Sequence, residues 1–169
     1  MILTLNCGCA APGLEREPRA AGTGSGEMEK EIRAYAAQDP RIRFFGFLPH
    51  EEAVQLQKQA TVLVNPRTNQ GEYTKYSFPS KTMEYMASGR PVMMFRLDGI
   101  PGEYDPFLTY IPEESAASIR DTVESLRKLS PSELDAMGAR GREFVLKNKN
   151  RNVQMRRVLD FIHKEQSNA

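Results

Sequence analysis

Along the chain, short and nearly continuous apolar runs alternate with longer stretches in which apolar residues recur at every third or fourth position. The first kind predicts buried strands and the second amphipathic helices. Thr61-Val62-Leu63-Val64-Asn65 is the clearest strand, apolar on both faces as a covered parallel strand must be. Pro91 to Phe95 and Leu108 to Ile111 read the same way, and Arg41 to Phe47 alternates before turning wholly apolar. Helices are expected over Glu27 to Gln38, Pro49 to Gln59, Ser80 to Ser88, Ser115 to Leu129, Pro131 to Lys147 and Asn152 to Lys164. The first is expected to open from a Gly22–Gly26 turn with Ser25 as N-cap and Glu27 and Glu29 in its first turn. The second carries its apolar stripe at Ala53, Val54 and Leu56. Gly89 stops the third, and Ser130, Pro131 and Glu133 form a capping-box start for the fifth.

Strand, loop, helix and strand between Thr61 and Phe95 make a βαβ unit, whose crossover is right-handed. The expected class is therefore α/β, with a doubly wound, mostly parallel sheet. Residues 1–21 fit neither period. After a weak strand signal at Ile2 to Leu5, Pro12 and Pro18 break any regular element. That stretch is expected to be an irregular arm, with the domain proper over 22–169.

A chain of 169 residues is the size of one domain. Its 23 Lys and Arg balance 22 Asp and Glu, which removes the basic excess of a dedicated nucleic-acid binder. No apolar run is long enough for a membrane span, and the first residues lack the basic start of a secretory signal. Cys7 and Cys9 are too close in sequence for an unstrained disulfide. With no other cysteine, and only His50 and His163 besides, no zinc site can be assembled. The pair reads as reduced thiols of a cytoplasmic protein. His50 reads as a surface or capping residue, and the methionines as core filler. The basic run from Arg140 to Arg157 reads as a solvated face.

In a doubly wound sheet, ligands bind where strands lead into helices. One such loop is chemically loaded, running from Asn65 to Ser80 and into Lys81. Arg67, Lys75 and Lys81 are cations near a helix N-terminus, a combination suited to a phosphate or diphosphate. On that helix Ser80, Lys81, Glu84 and Ser88 share one face and Met83, Met86 and Ala87 the other. A nucleoside diphosphate would match, with phosphates at the helix start and ribose hydroxyls on the carboxylate. A surface Lys81–Glu84 ion pair of negligible energy is the plainer alternative, and residue types alone leave both open. The Gly22–Gly26 loop lacks the third glycine and the downstream acid of a dinucleotide site.

The residue order from Phe78 to Val92, Phe-Pro-Ser-Lys-Thr-Met-Glu-Tyr-Met-Ala-Ser-Gly-Arg-Pro-Val, resembles the donor-site segment of the group 1 retaining glycosyltransferases of the GT-B fold. Gly22 to Glu27, Arg41 to Pro49, Ala60 to Pro66 and Gly99 to Glu103 follow in the same order, so the resemblance covers roughly 22–165. It implies a single Rossmann-like half, the C-terminal, donor-binding one, taking a UDP- or GDP-linked sugar without a metal. By position, Glu84 looks like the second acid of the family's Glu-(seven residues)-Glu motif, which binds the donor ribose. Ser80 and Lys81 look like the phosphate-side contacts, and the Gly46-Phe47 turn like the loop beside the base. Arg67 and Lys75 would neutralise charge on the departing diphosphate, as the absence of an Asp-x-Asp motif also suits.

Three departures stand out. Tyr76 occupies the position of the first acid, with Glu72 nearby but out of register. Phe78-Pro79-Ser80 replaces a Phe-Gly-Leu backbone contact, and Pro79 has no N–H to donate. The family's N-terminal half has no counterpart in the chain, and neither has the phosphate-binding Arg and Lys of the first βα unit, for which only Arg16 and Arg19 are at hand. The implied partner is therefore an N-terminal half on a separate chain, and the implied setting the cytoplasm, with docking at the inner membrane face. Implied acceptors are cell-surface glycans or lipid-linked sugars. The rival reading is a truncated, non-catalytic nucleotide-binding or scaffold module. A response-regulator-like or flavodoxin-like domain would need an acid cluster or flavin loop that the sequence lacks.

Overall fold

The computed structural model describes residues 2–7, 18–23, 26–70 and 76–167. Six strands form one sheet: β1 (Ile2–Cys7), β2 (Pro18–Thr23), β3 (Ile42–Phe44), β4 (Val62–Asn65), β5 (Val92–Phe95) and β6 (Leu108–Ile111), in the order β3-β2-β1-β4-β5-β6. β4, β5 and β6 run parallel, as do β2 and β3, while β1 is antiparallel to both its neighbours. The expected α/β, mostly parallel architecture is the one observed.

Residues 1–21 depart from expectation. Ile2–Cys7 is no arm but a central strand, with Leu3 opposite Val64 and Leu5 opposite Val62. Pro18 does not break β2 either. It is the first residue of the strand, where a missing N–H is tolerated. Pro12 lies outside the described residues. Gly22 and Thr23 continue β2 instead of opening a turn, and α1 (Glu29–Gln38) starts from Met28. Ser25, expected to cap it, lies outside the described residues.

The remaining helices are α2 (His50–Gln59), α3 (Ser80–Ala87), α4 (Ala116–Arg127), α5 (Pro131–Asn148) and α6 (Arg151–Ser167), with a 3-10 turn at Gly102–Phe107. Alternation along β4 explains the two cores. Leu63 points to a cluster with Tyr85, Met86, Met94 and Tyr104, while Val62 and Val64 point to the opposite face with Phe95, Leu126 and Leu134. The sheet is thus covered on both sides from β4 to β6. Ser130 and Glu133 make both bonds of the capping box that starts α5.

β3 is shorter than expected. It ends at Phe44, and Gly46 then turns the chain with a left-handed φ of +66°, leaving Phe47 80% exposed instead of buried. The strand is at the edge of the sheet, and Phe47 lies beyond its end.

α5 passes close over the turn between α3 and β5. Gly138 faces Gly89, itself left-handed at φ +82°, with no room between them for a side chain. Arg142 of the same helix donates to the Ala87 carbonyl at 2.6 Å, closing the end of α3. No helix among the described residues is long and apolar enough to cross a membrane.

Candidate functional site

The parallel strands deliver their carboxyl ends to one edge of the sheet, and the loop leaving β4 at Asn65 leads there into α3. Pro79 starts that helix without a side-chain cap and Thr82 N–H donates to the Pro79 carbonyl at 2.8 Å, so the N–H groups of Ser80 and Lys81 present the positive end of the helix. Apolar spacing sets the rotation of α3. Thr82, Tyr85 and Met86 are buried, which turns Ser80 and Lys81 to solvent and leaves Glu84 half-buried. Thr82 anchors the buried side, accepting from Asn65 Nδ2 at 3.3 Å and facing Met94 Sδ at 3.7 Å.

Lys81 and Glu84 are brought together. Lys81 Nζ lies 3.2 Å from Glu84 Oε2 and 3.3 Å from Oε1. The lysine side chain is 50% exposed and the carboxylate 27%, so their attraction is screened and readily exchanged for a ligand. A third residue joins them from α2. Gln57 Nε2 donates to Glu84 Oε1 at 2.6 Å, and Gln57 is only 1% exposed.

Sequence reasoning missed Gln57 because the stripe of this helix is read from its apolar residues alone, Ala53, Val54 and Leu56. The signal was present nonetheless. Position 57 falls between Ala53 and Ala60 at helical spacing, on the same side as the buried stripe.

No contact of the other described candidates with this trio is among those found for the described residues. Arg67 donates to Ser77 Oγ at 2.9 Å and so braces its own loop. Tyr76, at the position of the missing acid, is 88% exposed. Gly46 and Phe47 form the turn after β3. Lys75, like Glu72, lies outside the described residues.

Asn69 also escaped notice. Its Nδ2 donates to the Arg96 carbonyl at 3.1 Å and to Asp98 Oδ1 at 3.4 Å, its own Oδ1 accepts from the Asp98 N–H at 3.2 Å, and its N–H donates to Glu114 Oε1 at 3.1 Å. One residue thereby ties the β4 loop to the loops after β5 and β6, by its side chain to the first and its backbone N–H to the second. Beside it, Arg96 pairs with Asp105, and the Tyr110 hydroxyl donates to the same carboxylate at 2.7 Å. The tyrosine hydroxyl and then the guanidinium hold the Asp105 carboxyl below its usual range. Burial, then the bond to Asp105, pushes the Tyr110 phenol up to about 12. An open groove of about 730 Å³ runs past Tyr110, Glu113 and Asp121, and none of the described candidate residues lines it.

Chemically, the trio offers a cation, uncapped helix N–H groups and an oriented carboxylate within one turn of helix. That set can bind an anion and a pair of neighbouring hydroxyls on the same molecule. No group of three or more His, Cys, Asp or Glu side chains among the described residues could hold a metal ion.

Comparison with known proteins follows the same line. Residues 10–128 match the family model described as "Glycosyl transferases group 1". Among solved structures, the chain is similar to sucrose-phosphate synthase from Thermosynechococcus elongatus, with a TM-score of 0.66 at 18% sequence identity. The match covers 88% of this chain and 38% of that one, so the chain spans well under half the length of that protein. At that identity the likeness is one of fold, a Rossmann-like half of the GT-B type. No curated protein sequence matches the chain.

Proposed function

We propose, for a chain that belongs to the group 1 glycosyltransferases, the role of the donor-binding half of a hexosyl-type transferase, one that takes its sugar from a UDP- or GDP-linked donor. The observation that carries the proposal is the meeting of Lys81, Glu84 and Gln57 at the start of α3. Lys81 and the first-turn N–H groups, with Ser80, would hold the diphosphate. Glu84 would accept the ribose hydroxyls, and exposed Phe47 would stand beside the base.

Arg67 and Lys75 are assigned to the charge that gathers on the diphosphate as its bond to the sugar breaks. Tyr76 then stands where a carboxylate would otherwise face the transferred sugar. The acceptor is proposed to be a cell-surface glycan or a lipid-linked sugar at the cytoplasmic face of a membrane. The second half of the cleft would come from an N-terminal domain.

A non-catalytic nucleotide-binding module is the second reading. Tyr76 in place of the acid, and Pro79 in place of an N–H donor, favour it.

Thermal melts of the chain with UDP, GDP, ADP and CMP test the binding. A nucleotide at 100 times its Kd stabilises by about 2.7 kcal/mol, several degrees at this size. The shift should occur with UDP or GDP and vanish in Lys81→Ala and Glu84→Ala. A cooperative melt that no nucleotide moves would overturn the donor-binding role. Sugar transfer by the chain alone would overturn the need for a second half. Nucleotide binding with no transfer when an N-terminal half is supplied would favour the non-catalytic module.

A further inference from the structure

We infer that Gln57 is a positioning residue, whose task is to fix the Glu84 carboxylate in the orientation that accepts the donor ribose. The inference rests on the reading of Glu84 as ribose acceptor and adds the residue that aims it. Two observations carry it. Gln57 Nε2 lies 2.6 Å from Glu84 Oε1, and the other end of the same amide, Oε1, is buried with no hydrogen-bond partner among the described residues.

The orientation of the amide follows from charge. Turned over, it would set a carbonyl oxygen against the carboxylate, two acceptors facing each other with no proton between them. The N–H₂ group must therefore face Glu84, and the carbonyl oxygen is left in the protein interior, where an unmet acceptor is destabilising. Leucine or methionine would fill the same space at 1% exposure without that cost. Packing between α2 and the rest of the domain does not require an amide here. What only the amide supplies is the bond to Glu84.

That bond divides the carboxylate between two tasks. Oε1 is held by Gln57 from the buried side and touched by Lys81 at 3.3 Å, whereas Oε2 has, among the described residues, Lys81 alone, at 3.2 Å. When a diphosphate draws Lys81 away, Oε2 is released while Oε1 stays anchored. The carboxylate then meets the ribose already oriented, without losing side-chain freedom on binding.

Gln57→Leu and Gln57→Met test this, with UDP and GDP compared against their 2′,3′-dideoxy counterparts. Both variants should melt at or above the temperature of the unmodified chain. Both should bind the ribonucleotide at least about tenfold more weakly, the lower end of the scale for one hydrogen bond to a charged group. Affinity for the dideoxy nucleotide should not change, so the preference for ribose collapses. A purely structural glutamine would do the reverse, lowering the melting temperature and leaving that preference intact, and this result would overturn the inference. In the unliganded chain, the Gln57 side-chain amide protons should exchange slowly with solvent and lose that protection in Glu84→Ala. If the unmodified chain binds no nucleotide, the donor reading falls and this inference with it. If it binds ribonucleotides with a preference that Gln57→Leu leaves unchanged, the inference alone falls.

Discussion

Gly138 offers a sharp test of the packing that supports α3. It lies in the interior of α5, where alanine is ordinarily favoured over glycine by about 1 kcal/mol. Helix propensity alone therefore predicts that Gly138→Ala stabilises the protein. The structure predicts the opposite. A Cβ at this position would lie 2.1 Å from the Gly89 carbonyl oxygen, 2.6 Å from its carbon and 2.8 Å from Arg90 Cα, all backbone atoms. Ordinary contact begins at 3.4 Å, so α5 and the turn would have to part by more than an ångström.

The turn is poorly placed to yield. Gly89 N–H donates to the Met86 carbonyl at 3.0 Å, the Pro91 carbonyl accepts from Leu63 N–H at 2.9 Å, and Arg90 is bonded to Lys58 and Asp135. Overpacking of this kind costs about 3 kcal/mol, and subtracting the propensity gain leaves a net loss of about 2 kcal/mol. At this chain length that lowers the Tm by about 4–8 °C. Gly141→Ala is the control. The atoms nearest its Cβ would be Met86 Cε at 3.7 Å and Phe107 atoms at 3.9 Å, ordinary contacts, so the propensity gain survives and the Tm should rise by about 2 °C. Urea and thermal unfolding followed by circular dichroism read both. If Gly138→Ala were as stable as the unmodified protein, or if both substitutions moved the Tm the same way, the close approach of α5 would be wrong.

Three further outcomes are expected beside the nucleotide and Gln57 experiments. Arg41, through side-chain and backbone bonds, holds the Asp39 carboxyl at about 2, and Ser130 and Tyr110 hold Glu133 and Asp105 below their usual range. Carboxyls depressed in the folded state contribute stability that is complete above their unfolded values, near 4, and is lost as pH falls through the folded ones. The Tm should hold on acidification to about pH 5 and drop steeply between about pH 4 and pH 2. Ser130→Ala should cost about 1 kcal/mol at neutral pH through loss of the cap and should shallow that acid limb, as pH-dependent melts would show. Gly46→Ala, forced into a left-handed conformation with its Cβ 3.0 Å from Arg33 Nη2, should lose about 1–2 kcal/mol in urea titrations.

What could be read from the sequence was local. β4 is continuously apolar because both its faces are covered, and a reader needs nothing else to find it. The capping box at Ser130 is spelled out in four consecutive residues, and the spacing of Lys81 and Glu84 puts them on one face of any helix. The features that escaped depend on distant partners. Ile2–Cys7 is a strand because Val62–Val64 and β2 flank it, not because its own six residues insist on it. Phe47 looked like core because it follows an apolar run, but it lies beyond the end of β3, at the edge of the sheet. Gln57 joins the site only when α2 is laid beside α3. Asn69 matters because three loops share one edge of the sheet, a fact of topology that no local pattern encodes.

The antiparallel strand in the middle of the sheet sets how the domain holds together. β2 and β3 form one ladder and β4, β5 and β6 another, and among the described strands only β1 is hydrogen-bonded to both. The sheet is thus two cooperative units stitched by a single short segment. If that segment detached, β2, β3 and the Gly46-Phe47 turn would lose every interstrand bond to the ladder from which α3 springs. Phe47, on one side of the proposed nucleotide pocket, would then depend on α2 and its Gln57–Glu84 bond for its link to α3 on the other. Integrity of the site and opening of the first strand are in this sense one equilibrium.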